Sequence, residues 1–316
     1  MVRAETQYLD LLRDIRDNGE QRGDRTGTGT RSIFGRQLDY DLREGAPILT
    51  SKRVALGAVA HELVWMLHGD SNIKYLAENN VKIWNEWAFE PALLRMGYQI
   101  PEQGSEEWDR LMELYINRMR TDDTFANMYG DLGPVYGYQW RHAPKDGGGE
   151  VDQIADVQDA LRHNPFSRRL IVDSWNVGQI DQMALPPCHL LYQFYSSTTH
   201  DPESGKPYLD MKMYQRSADM FLGVPFNMAQ YAMLLTMMAQ ATDHEPRILS
   251  HTFGDTHIYN NHGEQVDLQL SRADDLYPAP RIELNPDIHD ITKFTRADIN
   301  IVGYESHPAI RAQVSI

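Results

Sequence analysis

Apolar residues recur at helical spacing near the start of the chain, where Tyr8, Leu9, Leu11, Leu12 and Ile15 form one stripe. The segment ALGAVAHELVWMLHG repeats the pattern with Leu56, Val59, Leu63, Met66 and Leu67. At 100° per residue, Glu62 falls about 40° beyond Met66, on the rim of that stripe, which predicts a half-sheltered carboxylate. Residues 88–104, with Pro91, Gly97, Pro101 and Gly104, read as irregular. Ser105 then caps a predicted helix bearing Trp108, Leu111, Met112, Tyr115, Ile116 and Met119 at helical spacing. Glu106 and Glu107 in its first turn, with Arg118 and Arg120 in its last, suit the helix dipole.

The segment DRTGTGTRSIFG reads as a turn entering a strand, and RRLIVDSWNV, LLYQFYSS, YLDMKMYQRS and RILSHTFGDTHIY are strand-like. NMAQYAMLLTMMAQAT is apolar on nearly every side, the pattern of a central buried helix. Strands and helices mix without a βαβ rhythm, so the expected class is α+β, a mixed sheet covered by helices. No linker composition interrupts the 316 residues. The expectation is one domain, 1–316, with a peripheral helical insertion at about 88–128.

Composition narrows the classes. Forty-five acids against 30 bases give a net charge of −15, which repels nucleic acid from the surface as a whole, so no nucleic-acid partner is expected. Paired bases therefore stand out, namely Lys52-Arg53 and Arg168-Arg169. One cysteine excludes an intrachain disulfide and suits a reducing compartment. A charged N-terminal segment without an apolar run predicts no signal peptide, and no stretch approaches the ~18 apolar residues of a membrane span. The expected location is cytoplasmic.

The single cysteine, Cys188, lies in ALPPCHLLYQFY. A lone cysteine is ordinarily a small buried apolar residue, but two prolines fix the backbone ahead of this one at a loop-to-strand junction. Activation needs a cationic neighbour or a helix N-terminus. In YQRSADMFLGVPFN, a helix-capping loop accounts for Asn227 but leaves Arg216 and Asp219 without a purpose. GDTHIYNNH offers Asp255, His257 and His262 as metal ligands, yet the spacing matches no zinc pattern, so no metal is expected. The glycines after Arg25 lack the lysine of a phosphate-binding loop and the order of a dinucleotide fingerprint.

Taken together, DRTGTGT, HELVWMLHGDSNIKYL, GDLGPVYGYQWR, SRRLIV, MALPPCH, QRSADMFLGVPFN and GDTHIYNNH resemble the thymidylate synthase family in order and spacing over essentially the whole chain. The 88–128 stretch is similar to the insertion of the family's long bacterial form. The resemblance implies a sheet-mediated homodimer that converts dUMP to dTMP with 5,10-methylenetetrahydrofolate as co-substrate and no metal. It makes Cys188 the nucleophile at uracil C6. Arg25, Arg216 and Ser217 become phosphate ligands, joined by Arg168 and Arg169 reaching in from the partner subunit. Gln215, Ala218 and Asp219 fall within the same dUMP segment.

Asn227 matches the amide that reads the uracil edge, where the related deoxycytidylate hydroxymethylases carry aspartate. His257 and Tyr259 match the pair on the deoxyribose 3′-hydroxyl. For folate the matches are Ile83, Trp84, Trp87, Leu185, Leu222, Gly223, Phe226 and the tail residue Ser315, with Asp219 as the pterin anchor. Glu62 matches the glutamate that organises proton transfers, and Tyr136 the tyrosine implicated in removing the C5 proton. Ala55, Asp173, Gln313 and Ser315 depart from the family pattern. Two rival readings follow, a dUMP hydroxymethylase on the same scaffold and a non-catalytic nucleotide- or RNA-binding relative. Trp84 and Tyr136 argue against the first, and Cys188 with Glu62 and Tyr136 against the second.

Overall fold

The computed structural model describes residues 3–25 and 27–314. They form two compact units. One comprises the described residues up to Ala60, Ile154–Asp173 and the chain from Cys188 onward; the other comprises His61–Gln153 and Ser174–Pro187. In chain order the helices are α1 (Ala4–Asn18), α2 (Leu56–Leu67), α3 (Lys74–Glu78), α4 (Asn85–Arg95), α5 (Glu106–Thr121), α6 (Asp123–Tyr129), α7 (Tyr136–His142), α8 (Gln153–His163), α9 (Gly223–Ala241) and α10 (Gly263–Leu270). The strands are β1 (Glu20–Arg22), β2 (Thr30–Asp41), β3 (Ala143–Pro144), β4 (Glu150–Val151), β5 (Ile171–Asp173), β6 (His189–His200), β7 (Pro207–Asp219), β8 (Glu245–Tyr259), β9 (Arg281–Leu284) and β10 (Ile299–Val302).

The first unit is organised by a six-stranded sheet in the order β1-β2-β8-β7-β6-β5. Every neighbouring pair is antiparallel except β7 and β8, which run parallel. The class is α+β with a mixed sheet, as the unrhythmic strand and helix pattern predicts. Helix α9 packs on β7 and β8, and its Met228, Tyr231, Leu234, Leu235 and Met238 are all buried, so no polar stripe is needed on any side. On the other face, cross-strand polar pairs replace apolar ones. Lys212 Nζ donates to Gln37 Oε1 at 2.9 Å, and Arg247 bonds Asp210 through Nε at 2.9 Å. Tyr195 on that face is 62% exposed.

Helix α1 anchors the loop that follows β2 through a buried carboxylate. Glu5 accepts from the backbone N–H of Thr50 at 2.7 Å and of Ser51 at 2.6 Å. Those bonds hold Lys52 inside the fold, 5% exposed. Lys52 donates to the carbonyl of Phe221, and its ammonium sits 3.6 Å from the centroid of the Phe221 ring.

In the second unit, Ser105 caps α5 by accepting from the N–H of Trp108 at 3.1 Å, as its position predicts. The stretch read as irregular is helical in its first part, since α4 continues through Pro91. Tertiary packing overrides the proline there. Phe89, Ala92 and Leu93 are buried, and the Phe89 ring lies 5.1 Å from that of Trp108. The predicted RRLIVDSWNV strand is confined to Ile171–Asp173.

Candidate active site

Strand register assembles the first cluster. His189 pairs with Gln215, Asp219 with His257, and Thr30 with Tyr259. The start of β6, the C-terminal ends of β7 and β8 and the loop before β2 therefore meet at one end of the sheet. Cys188 stands there, half-buried, directly before β6. Its carbonyl accepts from the N–H of Arg216 at 2.8 Å, which ties the cysteine backbone to β7.

The thiol is subject to opposed influences. Burial pushes its pKa up from the ordinary thiol value, while the Arg216 and Arg25 guanidiniums pull it down and Asp219 pushes it up. Burial is the largest of these, and the pKa is raised on balance. Arg25 itself is exposed in a loop whose turn is closed by Gly29 N–H donating to Asp24 Oδ1 at 2.7 Å. Gly29 has φ +77°, and a β-carbon there would lie 2.5 Å from Asn260 Nδ2, so this close approach needs glycine.

Asp219 ends β7 by bonding the turn that leads into α9. Its Oδ1 accepts from the N–H of Phe221 and of Leu222, each at 3.0 Å. Leu222, Gly223, Phe226 and Asn227 follow around the first turns of the helix, all half-buried. Asn227 Oδ1 accepts from Gln215 Nε2 at 3.0 Å. Gln215 and Ala218 are themselves buried. Ser217, half-buried on β7 between them, pairs with Asp255 in the sheet. On β8, His257 Nδ1 shares a 3.0 Å hydrogen bond with Asp255 Oδ1, and its ring meets Tyr259 edge-on at 5.2 Å. Burial foremost pushes the Tyr259 hydroxyl up to about 12, so it is a neutral donor at ordinary pH.

Arg168 and Arg169 stand apart from this cluster. Both are exposed, between α8 and β5, and neither figures among the charges acting on Cys188. Neither guanidinium has an acceptor among the described residues. The main chain at Arg168 is nevertheless fixed, its carbonyl accepting from Gln193 Nε2 at 3.0 Å.

The second unit holds the other predicted residues. Glu62 is 7% exposed, deeper than its rim position on α2 predicts. The difference comes from Trp84, whose indole N–H donates to Glu62 Oε1 at 2.8 Å and covers it. Around Trp84 lie Trp65, Trp87 and Tyr136, with ring centroids 6.1, 6.0 and 5.9 Å away. Tyr136, at the start of α7, is 2% exposed. Ile83, Trp87 and Leu185 are half-buried. The tail residue Ser315 lies outside the described residues.

The GDTHIYNNH groups are otherwise engaged. Asp255 pairs with Arg22 at 2.9 Å, and His262 Nε2 lies 2.8 Å from the carbonyl of Gln313. Among the described residues no group of three or more His, Cys, Asp or Glu side chains is arranged to hold a metal. Also among them, no helix is long and apolar enough to cross a membrane. The sequence marks Lys52 only as half of a basic pair, without its contact to the Phe221 carbonyl in the Asp219 turn, and it does not mark His251, whose Nε2 lies 2.8 Å from Gln215 Oε1. The available signal for His251 was a polar residue at an inward position of a strand.

A half-buried thiol acted on by two guanidiniums, at the end of the sheet where β7 turns into α9, is a residue set that can meet an anionic ligand. The family model described as thymidylate synthase matches residues 6–316. The chain belongs to the thymidylate synthase family, the folate-using methyltransferases of dTMP synthesis.

Proposed function

We propose that this chain catalyses the reductive methylation of dUMP to dTMP, with 5,10-methylenetetrahydrofolate leaving as dihydrofolate, through a covalent adduct between Cys188 and uracil C6. The observation that carries the reading is the position of Cys188, held to β7 by the Arg216 N–H and acted on by Arg216 and Arg25. Uracil C5 is a poor nucleophile. Addition of sulfur at C6 makes C5 an enolate carbon able to attack, which is what a positioned thiol contributes.

Arg216 and Arg25 offer planar donors to a phosphate dianion, and Ser217 a hydroxyl. Arg168 and Arg169 complete that set in a homodimer by serving the partner's site. Their exposure without an acceptor of their own supports this, as does the polar outer face of the sheet as the dimer surface. Asn227 presents donor and acceptor to the uracil O4 and N3–H edge. His257 and Tyr259 bind the 3′-hydroxyl. The folate supplies the one-carbon unit and the hydride when bound.

Ile83, Trp84, Trp87 and Leu185 in the second unit, and Leu222, Gly223 and Phe226 in the first, each offer apolar surface of the kind its rings take. The half-buried indole of Trp87 against Trp84 supports that fit. Asp219 Oδ1 is taken by the turn, which leaves Oδ2 for the pterin. Glu62, sheltered and oriented by Trp84, handles protons at the uracil O4 and the folate nitrogen. Tyr136 assists loss of the C5 proton. A single cysteine suits a reducing compartment such as the cytoplasm.

The test is to incubate the chain with dUMP and 5,10-methylenetetrahydrofolate, weigh the nucleotide product by mass spectrometry and follow dihydrofolate absorbance. Methylated product with matching dihydrofolate is expected. A hydroxymethyl product without dihydrofolate would assign the hydroxymethylase, and unchanged dUMP would remove catalysis.

A further inference from the structure

Asn227 can read a base only if its amide is prevented from turning over, and the structure contains a device that prevents it. Gln215 Nε2 lies 3.0 Å from the carbonyl of Ser217 and 3.0 Å from Asn227 Oδ1. A backbone carbonyl can only accept, so the Gln215 end facing Ser217 is the NH2 end, and both of its hydrogens are used. Gln215 Oε1 must then face His251 Nε2, at 2.8 Å. An amide carbonyl also only accepts, so the proton of His251 is on Nε2.

The surroundings of His251 agree with that assignment. The residue is 0% exposed, and its Nδ1 has no hydrogen-bond partner among the described residues. An unpartnered lone pair is a smaller loss there than an unpartnered N–H, and burial with His189 nearby holds the ring neutral. The ring is wedged against Phe253, centroids 3.9 Å apart, with Tyr40 edge-on at 6.5 Å, so it has little room to swing.

We propose that His251 is a positioning residue for base choice. Through Gln215 it fixes Asn227 with Oδ1 turned inward and Nδ2 free to donate. Asn227 then offers a donor and the second lone pair of Oδ1, the complement of an imide edge such as uracil O4 and N3–H. A 4-aminopyrimidine edge, an amino donor beside a bare ring nitrogen, asks for the reverse. Turning Asn227 would set its Nδ2 against Gln215 Nε2, donor against donor. Gln215 cannot turn in response without opposing its oxygen to the Ser217 carbonyl and losing the His251 proton. Rejection of cytosine is thus built into β7 and β8, beneath the amide that meets the base. This inference rests on the proposed reading of Asn227 as the base-edge residue.

The test compares the wild type with His251→Leu, which removes the donor, and His251→Gln, whose amide nitrogen reaches the position of imidazole Nε2. kcat/KM is measured for dUMP and dCMP, together with thermal midpoints and the imidazole nitrogen resonances of the wild type. His251→Leu should lower the dUMP:dCMP ratio by about 3- to 10-fold, mainly through the KM for dUMP, and His251→Gln should recover most of it. The nitrogen spectrum should show His251 protonated at Nε2 and unchanged over about pH 6 to 8. A ratio that stays constant in His251→Leu while the midpoint falls would reduce His251 to a structural part. A Gln variant no better than Leu, or a proton found on Nδ1, would also overturn the proposal. If the wild type methylates neither nucleotide, the functional reading fails on its own, and the wild-type nitrogen spectrum still decides the relay.

Discussion

Lys52 offers a measurement of how far burial controls charge next to the site. It is 5% exposed, donates to the Phe221 carbonyl and lies 3.6 Å over the Phe221 ring. Burial lowers its pKa from 10.5 to about 7, against the opposing pull of Asp219. The unfolded chain keeps that proton to about 10.5 while the folded chain releases it near 7. Between those values the unfolded state binds more protons, so stability rises with pH in this window and is lost as pH falls through about 7. One proton is worth about 1.4 kcal/mol per pH unit, and because the folded lysine is only half-deprotonated at about pH 7 the ceiling between about pH 7 and 9 is about 2.3 kcal/mol rather than the full two pH units' worth. The ring and the carbonyl both favour the charged form, so the expected gain is about 1–2 kcal/mol. Lys52→Met removes the titration. Urea unfolding of both proteins at the two pH values isolates it, because the Cys188 thiol, raised by burial and acting in the opposite direction, is common to both. Wild type should gain about 1–2 kcal/mol relative to Lys52→Met on going from the lower pH to the higher. Parallel stability-against-pH curves would refute the reasoning.

Three further outcomes follow from the site. Cys188→Ser should abolish turnover while dUMP binding measured by calorimetry largely survives; equal loss of both would return Cys188 to the role of core filler. Mixing inactive Cys188→Ser subunits with inactive Arg168→Glu subunits should restore activity at one site of each heterodimer, and no recovery despite demonstrated subunit exchange would mean that each chain uses its own arginines. Asn227→Asp should shift the kcat/KM preference from dUMP toward dCMP, since each mismatched buried group costs about 1–3 kcal/mol and the carboxylate still accepts from Gln215. An unchanged ratio would leave Asn227 as a helix-start residue only.

What was legible in the sequence was whatever depends on neighbours along the chain. The Ser105 cap and the apolar spacing of α5, the all-round apolar α9 and the β7 and β8 segments are local signals, and each is present in the fold. Pro91 misled because its local veto on helix is outweighed by the burial of Phe89 and Leu93, which only the packed structure contains. Glu62 looked half-sheltered because helical spacing cannot foresee Trp84 covering it from 22 positions away. The parallel pairing of β7 with β8 left no mark on either strand, yet it is this register that sets Asp219 beside His257. The His251–Gln215–Asn227 chain needs β8, β7 and α9 at once, so no single segment could disclose it.

The charge balance at Cys188 is the clearest case of structure deciding what residue types leave open. Arginines near a thiol suggest a stored thiolate, and Arg216 with Arg25 do pull in that direction. Burial outweighs them and Asp219 works against them, so the free site holds a protonated thiol at neutral pH. On the proposed reading, a phosphate dianion bound to the same arginines would cancel part of their pull and weaken the thiolate further. On that reading the sulfur gives its proton to water as it adds to C6, with negative charge passing to the uracil oxygen. Asn227 Nδ2, held outward by Gln215, is a donor suited to that oxygen. On that reading the orientation that selects the base would also favour the addition, so the groups that fix Asn227 would support chemistry at a thiol they do not touch.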